Sequence, residues 1–264
     1  MTSRFVKPIQ EFIKSQKDFN IIYNTSHEFL TPTTQRVCVL DSSFNPPHLG
    51  HYALVEESLK KSIDHKSKVV LLLLSIKNAD KVAPDPISLS NRLEMMYIMA
   101  NDISNRYTVN VSIGLTKHAK FVDKSISILN YIDNRKDVKL TFLIGFDTLI
   151  RILNPKYYLP DKLSTSLEQF MKSTDLFCLT RTNKEITNDQ QSRYLEEIKK
   201  GRHEDIPSHW TDNIYMVENF GDDVANYSSS DIRLKIASND ENWKPKVVSE
   251  IRDFIINQKL YKKD

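Results

Sequence analysis

Arg36-Val37-Cys38-Val39-Leu40-Asp41-Ser42-Ser43-Phe44-Asn45-Pro46-Pro47-His48-Leu49-Gly50-His51 is the stretch that decides the fold. Residues 36–40, apolar after Arg36 and with two β-branched valines, predict a short strand. Residues 41–47 are a loop stiffened by two prolines. From about residue 50 to 63, Tyr52, Val55, Leu59 and Ile63 recur on one side, as on a helix. The helix opens on two histidines three residues apart. Backbone N–H groups at a helix start are unpaired, and the helix dipole favours anions there. Imidazoles at such a place can donate to phosphate oxygens and stabilise charge that builds during phosphoryl or nucleotidyl transfer. Gly50, between them, lets a backbone or a phosphate come close. Two surface histidines at a helix start are the plain alternative, and the strand–loop–helix setting argues against it.

The rest of the chain repeats this grammar. Residues 69–74 are apolar throughout, as in a strand buried on both faces of a parallel sheet. Leu89, Leu93, Met96, Tyr97 and Ala100 form a helical stripe, and residues 108–113 alternate like a strand. Asp123 is placed to cap a helix carrying Ile126, Leu129 and Ile132. Residues 140–144, 175–180 and 214–217 read as further strands. Alternating strands and helices argue for an α/β fold with a parallel sheet. Ligands in such sheets bind at the carboxyl ends of the strands, so chemistry is expected in the loops after residues 40, 74, 144, 180 and 217. Ahead of this domain, Phe5, Ile9, Phe12 and Ile13 make an amphipathic helix, and residues 18–34 read as a polar connector. The expected organisation is an N-terminal helical extension over residues 1–34. A single domain follows over 35–264, with a surface insertion at about 183–208.

The 264 residues include 37 Lys+Arg and 34 Asp+Glu, a formal net charge of +3. That length fits one domain with insertions better than two domains. Hydrophobic residues make up 40%, enough for a core and too many for a disordered chain. The small charge gives no general attraction for nucleic acid. The longest apolar run, 69–74, falls far short of the ~20 residues that cross a bilayer, so neither nucleic acid nor membrane is an expected partner. Cys38 and Cys178 sit in apolar, strand-like runs and are expected to be free buried thiols rather than a disulfide framework. Glu11, Asp18 and the lack of a long apolar core argue against a secretory signal. The expectation is a soluble protein of the cytoplasm, the nucleus or both. A homo-oligomer is left open.

A second motif stands near the other end: Tyr227-Ser228-Ser229-Ser230-Asp231-Ile232-Arg233. Three hydroxyls at a helix start can cap N–H groups and donate to phosphate oxygens, and an arginine one turn in suits a triphosphate. A serine-rich cap with a surface arginine is the bland reading. The two segments together resemble the signatures of the H-x-G-H nucleotidylyltransferase superfamily. Its nicotinamide/nicotinate mononucleotide adenylyltransferases carry G-x-F-N-P-x-H-x-G-H and I-S-S-T-x-I-R, and the chain reads as a divergent eukaryotic member. The resemblance runs from about residue 36 to 261. It implies a doubly wound, Rossmann-like parallel sheet of nucleotidylyltransferase type. The implied activity moves AMP from ATP to nicotinamide or nicotinate mononucleotide, giving a dinucleotide and pyrophosphate for NAD biosynthesis, with Mg²⁺ bridging the leaving phosphates.

The same resemblance implies site residues. His48, His51 and Arg233 would be catalytic. Ser43, Phe44, Asn45, Gly50, Ser228, Ser229 and Ser230 would bind ATP. Lys81 in a polar loop, Arg92 in an R-x-x-M-x-x-A helix, Gly145 and Asp147 in G-x-D-x-L, and Arg181 at a strand end would face the substrate. Read from chemistry alone, Arg92 could be a solvated helix charge and Asp147 an N-cap. Two departures stand out. Ser42 replaces the family's first glycine. Ser112-Ile113-Gly114-Leu115-Thr116 lacks the family's Trp-Glu pair, with Phe121 and Tyr107 as candidate aromatic substitutes. They keep two alternatives open: the same chemistry on another acceptor, or a nucleotide-binding regulatory protein with weak ATP hydrolysis. Class I aminoacyl-tRNA synthetases share the histidine signature, but this chain has Y-S-S-S-D-I-R where they need K-M-S-K-S.

Overall fold

In the computed structural model, residues 69–74 form the heart of a strand, each at most 2% exposed. The structure describes residues 3–61, 67–76, 87–133, 135, 137–180, 187–218 and 223–262. Lys81, with Asn78 and Asp80, and Arg181 lie outside the described residues. The chain begins with α1 (Val6–Lys14), β1 (Phe19–Asn24), β2 (Arg36–Asp41), α2 (Leu49–Lys60) and β3 (Lys68–Ser75). It continues through α3 (Leu89–Tyr107), β4 (Val111–Thr116), α4 (Phe121–Tyr131), β5 (Lys139–Gly145), α5 (Phe146–Ile152) and α6 (Leu163–Ser173). Then come β6 (Thr174–Leu179), α7 (Asn188–Lys199), β7 (Ile214–Val217), α8 (Ser229–Ala237) and α9 (Ser249–Asn257).

The strands form a seven-stranded sheet in the order β1-β4-β3-β2-β5-β6-β7. All neighbours are parallel except β1 with β4. Leaving out β1, the order is the doubly wound 3-2-1-4-5-6. The chain winds outward from β2 to β4, then returns to β5 beside β2 and winds the other way. The switch point lies between β2 and β5, where the loops carrying the first histidine motif and Gly145 leave the sheet.

Alternation along each strand divides the core in two. Cys38, Leu40, Val70, Leu72 and Leu74 face α2, α3, α8 and α9. Val37, Val39, Leu71, Leu73 and Phe142 face α4, α5, α6 and α7. Each fully buried large side chain contributes about 1.5–3 kcal/mol. At the amino end of the sheet a buried polar clamp joins the strands. Asp175 takes Arg36 Nη1 at 2.5 Å, Lys139 Nζ at 2.6 Å and Asn213 Nδ2 at 3.1 Å.

Several sequence expectations are revised. Residues 18–34 are more than a connector, because they contain β1, which pairs antiparallel with β4 and completes the sheet edge. α1 does pack on the domain through Phe5, Ile9 and Phe12, while Ile13 stays 53% exposed. Thr108 is a left-handed C-cap of α3, so the next strand starts later, at Val111. Asp123 does not cap α4; it sits in the first turn behind Lys120. The described part of the 183–208 insertion is tied to the domain, with Gln191 and Ile198 fully buried on the α6 side. Tyr107 ends α3, which runs back from the carboxyl edge of β3 to the amino edge of β4. It is therefore at the wrong edge to meet a ligand.

Gly114 answers to the strand the sequence hid. A Cβ there would stand 2.8 Å from Phe19 Cε2 and 3.1 Å from Leu71 Cδ1. Phe19 is itself 4% exposed and packs edge-on to Tyr131. Gly114→Ala is expected to cost about 1–3 kcal/mol through overpacking, read as a lower midpoint in urea unfolding. An unchanged midpoint would mean that β1 yields without cost.

Candidate active site

The loop from Ser42 to Pro47 is held at one backbone carbonyl after another. Arg92 Nε donates to Ser43 O at 2.8 Å, Arg233 Nη1 to Asn45 O at 2.6 Å and Ser229 Oγ to Pro46 O at 2.8 Å. Tyr261 Oη donates to Asn45 Oδ1 at 2.8 Å. α3, α8 and the C-terminal segment thus converge on one loop. Phe44 has φ +46°, a conformation costly for a bulky residue, and its ring is wholly buried 5.2 Å from the ring of His51. The loop is a rigid cradle built before any ligand arrives.

His48 is the N-cap of α2. Its Nδ1 accepts from the Gly50 N–H at 3.2 Å, and His51 Nδ1 accepts from the His48 N–H at 3.1 Å. Both acceptor positions are therefore taken by backbone donors, and each neutral ring carries its proton on Nε2. The rings lie 3.9 Å apart and line an open crevice at the switch point. Gly50 is required for the approach of a backbone: a Cβ there would stand 2.9 Å from Val224 O. Ser42 Oγ lies 2.9 Å from His51 Nε2. With the ring proton on Nε2, the serine accepts, so this departure from the family glycine adds a partner to the second histidine.

The crevice is a cleft with a wide mouth to solvent. His48, Gly50, His51, Gly145, Asp147, Ser228 and Ser229 line it together. Ser228 Oγ caps α8 by accepting from the Asp231 N–H at 3.1 Å. Ser230 Oγ accepts from Arg233 Nη2 at 3.1 Å. Asp147 is not an N-cap; Gly145 holds that place, and Asp147 lies in the first turn of α5. Ser43, Phe44, Asn45, Ser230, Arg92 and Arg233 are not in the lining. Ser43, Phe44 and Asn45 belong to the cradle loop, Arg92 and Arg233 donate to its carbonyls, and Ser230 accepts from Arg233. Arg92 is 4% exposed, so it is no solvated helix charge. Burial pushes the Cys178 thiol well up, which keeps it protonated and inert.

The Cytidylyltransferase-like family matches residues 39–235, from within β2 to within α8, and so takes in both motifs and the whole crevice. The chain belongs to the Cytidylyltransferase-like family. A Schizosaccharomyces pombe protein provisionally named a nicotinamide mononucleotide adenylyltransferase is 36% identical over 247 residues, 94% of this chain and 92% of its own length. Among solved structures, a Plasmodium falciparum nicotinic acid mononucleotide adenylyltransferase complexed with NaAD superposes with a TM-score of 0.58 at 16% identity. It covers 86% of this chain and 97% of that one. The same enzyme complexed with APC gives 0.54 at 14% identity, with the same coverage. At these identities the likeness is one of fold, and the fold is the doubly wound nucleotidylyltransferase type.

For a member of this family, the crevice contains residues that the motifs did not single out. Asp41, Thr148 and Tyr227 line it. The sequence signal for Asp41 is a charge closing an apolar strand; for Tyr227, an aromatic just ahead of the serines. Thr148 carries no signal that a single sequence offers.

Proposed function

We propose that the chain is an adenylyltransferase that joins AMP from ATP to nicotinamide or nicotinate mononucleotide. The carrying observation is the pair of Nε2–H imidazoles at the start of α2, facing Ser228 and Ser229 of α8 across one crevice. A mononucleotide phosphate oxygen attacks the α-phosphorus of ATP, a P–O bond forms, and the bond to pyrophosphate breaks. A phosphate is already a competent nucleophile, so the protein needs no general base. Its work is alignment and stabilisation of charge. His48 supplies one Nε2–H donor, His51 supplies a second that exchanges its Ser42 partner for phosphate, and the helix starts add N–H groups. The activity named for the relative supports the mononucleotide as acceptor.

Among the described residues no three His, Cys, Asp or Glu side chains cluster as a metal cage. That donor set fits a Mg²⁺ that would be held chiefly by the substrate phosphates and water. Such an ion supplies charge neutralisation of the leaving pyrophosphate. No described helix is long and apolar enough to cross a membrane. Buried cysteines outside any disulfide, Cys38 and Cys178, suit the cytoplasm or nucleus.

The second reading changes the acceptor. The start of α4 offers Phe121 in place of a tryptophan, and that ring packs edge-on against Phe142, centroids 5.3 Å apart. The deciding experiment incubates the protein with ATP, Mg²⁺ and each mononucleotide and seeks dinucleotide and pyrophosphate by mass spectrometry. Dinucleotide is the expected product. Pyrophosphate only with another phosphorylated acceptor would establish the second reading. ATP binding with slow phosphate release and no dinucleotide would make this a nucleotide-binding regulator.

A further inference from the structure

Asp41 closes β2, immediately before the cradle loop, and lines the crevice. Lys124 of α4 reaches it with Nζ 2.5 Å from Oδ2; the two side chains are 10% and 5% exposed. The other oxygen, Oδ1, has no hydrogen-bond partner among the described residues, and the small exposed part of Asp41 faces the crevice. Burial raises the carboxyl's affinity for its proton, and the Lys124 ammonium opposes this. Burying such an ion pair is expensive, and apolar side chains of similar volume often serve stability as well. A half-satisfied carboxylate at a ligand crevice therefore calls for a reason.

The architecture supplies one. The crevice straddles the carboxyl edge of the sheet. The phosphate-directed groups, His48, His51, Ser228 and Ser229, come from α2 and α8 on one face. By strand alternation Asp41 points to the other face, where α4 provides Lys124. Two nucleotides whose phosphates meet at the imidazoles must send their nucleosides in different directions. We propose that Asp41, paired with Lys124, is a substrate-binding residue that accepts a hydrogen bond from an O–H or N–H donor on the acceptor nucleoside. Two sources share that chemistry: a ribose hydroxyl, and the carboxamide of nicotinamide mononucleotide. A carboxamide donor would be accepted there, whereas a carboxylate would be repelled.

This rests on the adenylyltransferase reading. The test measures kcat/KM for nicotinamide and nicotinate mononucleotide, and KM for ATP, in the parent and in Asp41→Asn. Calorimetric binding of each mononucleotide is measured alongside. Asparagine keeps an acceptor for Lys124, and Asp41→Asn/Lys124→Met removes both charges should the single variant fold poorly. If the carboxamide is the donor, the parent prefers the amide and the variants narrow that preference by roughly tenfold. If a ribose hydroxyl is the donor, the variants lose roughly tenfold with both mononucleotides while KM for ATP stays put. Unchanged constants, or a loss shared equally with ATP, would overturn the assignment while the parent's activity upheld the adenylyltransferase reading. A parent protein that binds neither mononucleotide would overturn both.

Discussion

His51→Ala is expected to lower adenylyl transfer at saturating ATP and mononucleotide by at least ~10²-fold, the usual loss when one preorganised donor to a developing charge is removed. The structure gives His51 three duties. Its Nδ1 accepts from the His48 N–H and so closes the capping box of α2. Its Nε2–H meets Ser42 Oγ. Its ring lies tilted against that of His48, centroids 3.9 Å apart, and holds it at the crevice. Alanine removes all three, and loss of the cap alone costs about 1 kcal/mol of stability. His51→Gln separates the effects. A glutamine at the third helical position can still accept from the N-cap N–H, so folding is kept while the imidazole donor is lost. Both variants should melt near the parent, glutamine closer, and both should be slow. The slow step should be turnover: the triphosphate keeps Ser228, Ser229 and the helix N-termini, so KM for ATP should move less than kcat. Turnover within a few-fold of the parent in His51→Ala would remove this imidazole from the chemistry.

What the sequence disclosed follows the range of the interactions involved. β3 was legible because a strand covered on both faces must be apolar at every position, and residues 69–74 are. α2 was legible because its motif and its periodic apolar residues are local. β1 was not. Its Asn20 and Asn24 break the pattern, it has a register shift between Ile21 and Tyr23, and it exists because β4 offers it an edge. The roles of the arginines were also hidden. Arg92 and Arg233 are in the motif positions the resemblance assigns to ligands, and each also donates to a loop carbonyl, 49 and 188 residues away in sequence. A motif gives a residue type, and tertiary contacts decide whether that residue touches the ligand or holds what does. Asp41 and Lys124 are 83 residues apart and join only because α4 packs on the face of the sheet to which Asp41 points.

The largest stability effect should come from the opposite edge of the sheet. Asp175 is fully buried and takes donors from three strands or their flanks: Arg36 at the start of β2, Lys139 at the start of β5 and Asn213 just ahead of β7. Replacing it with alanine does not cost the same at each partner. Lys139 is 31% exposed and can turn its ammonium to water. Arg36 is 3% exposed and cannot, although Thr141 Oγ1 still accepts from it. A buried guanidinium without its counter-charge costs about 3–5 kcal/mol, most of it desolvation that nothing offsets. Asp175→Ala should therefore lower the unfolding free energy in urea by about that much, a large share of the 5–15 kcal/mol typical of a domain. Arg36→Met/Asp175→Leu should recover most of it, because the loss lies in the stranded charge rather than in the pair. Turnover per folded molecule should not change in either variant, since the clamp ties the amino ends of strands whose carboxyl ends make the crevice. A loss below about 1 kcal/mol in Asp175→Ala would mean that water or a rearranged neighbour reaches Arg36, and that the sheet is held at this edge by its apolar faces alone.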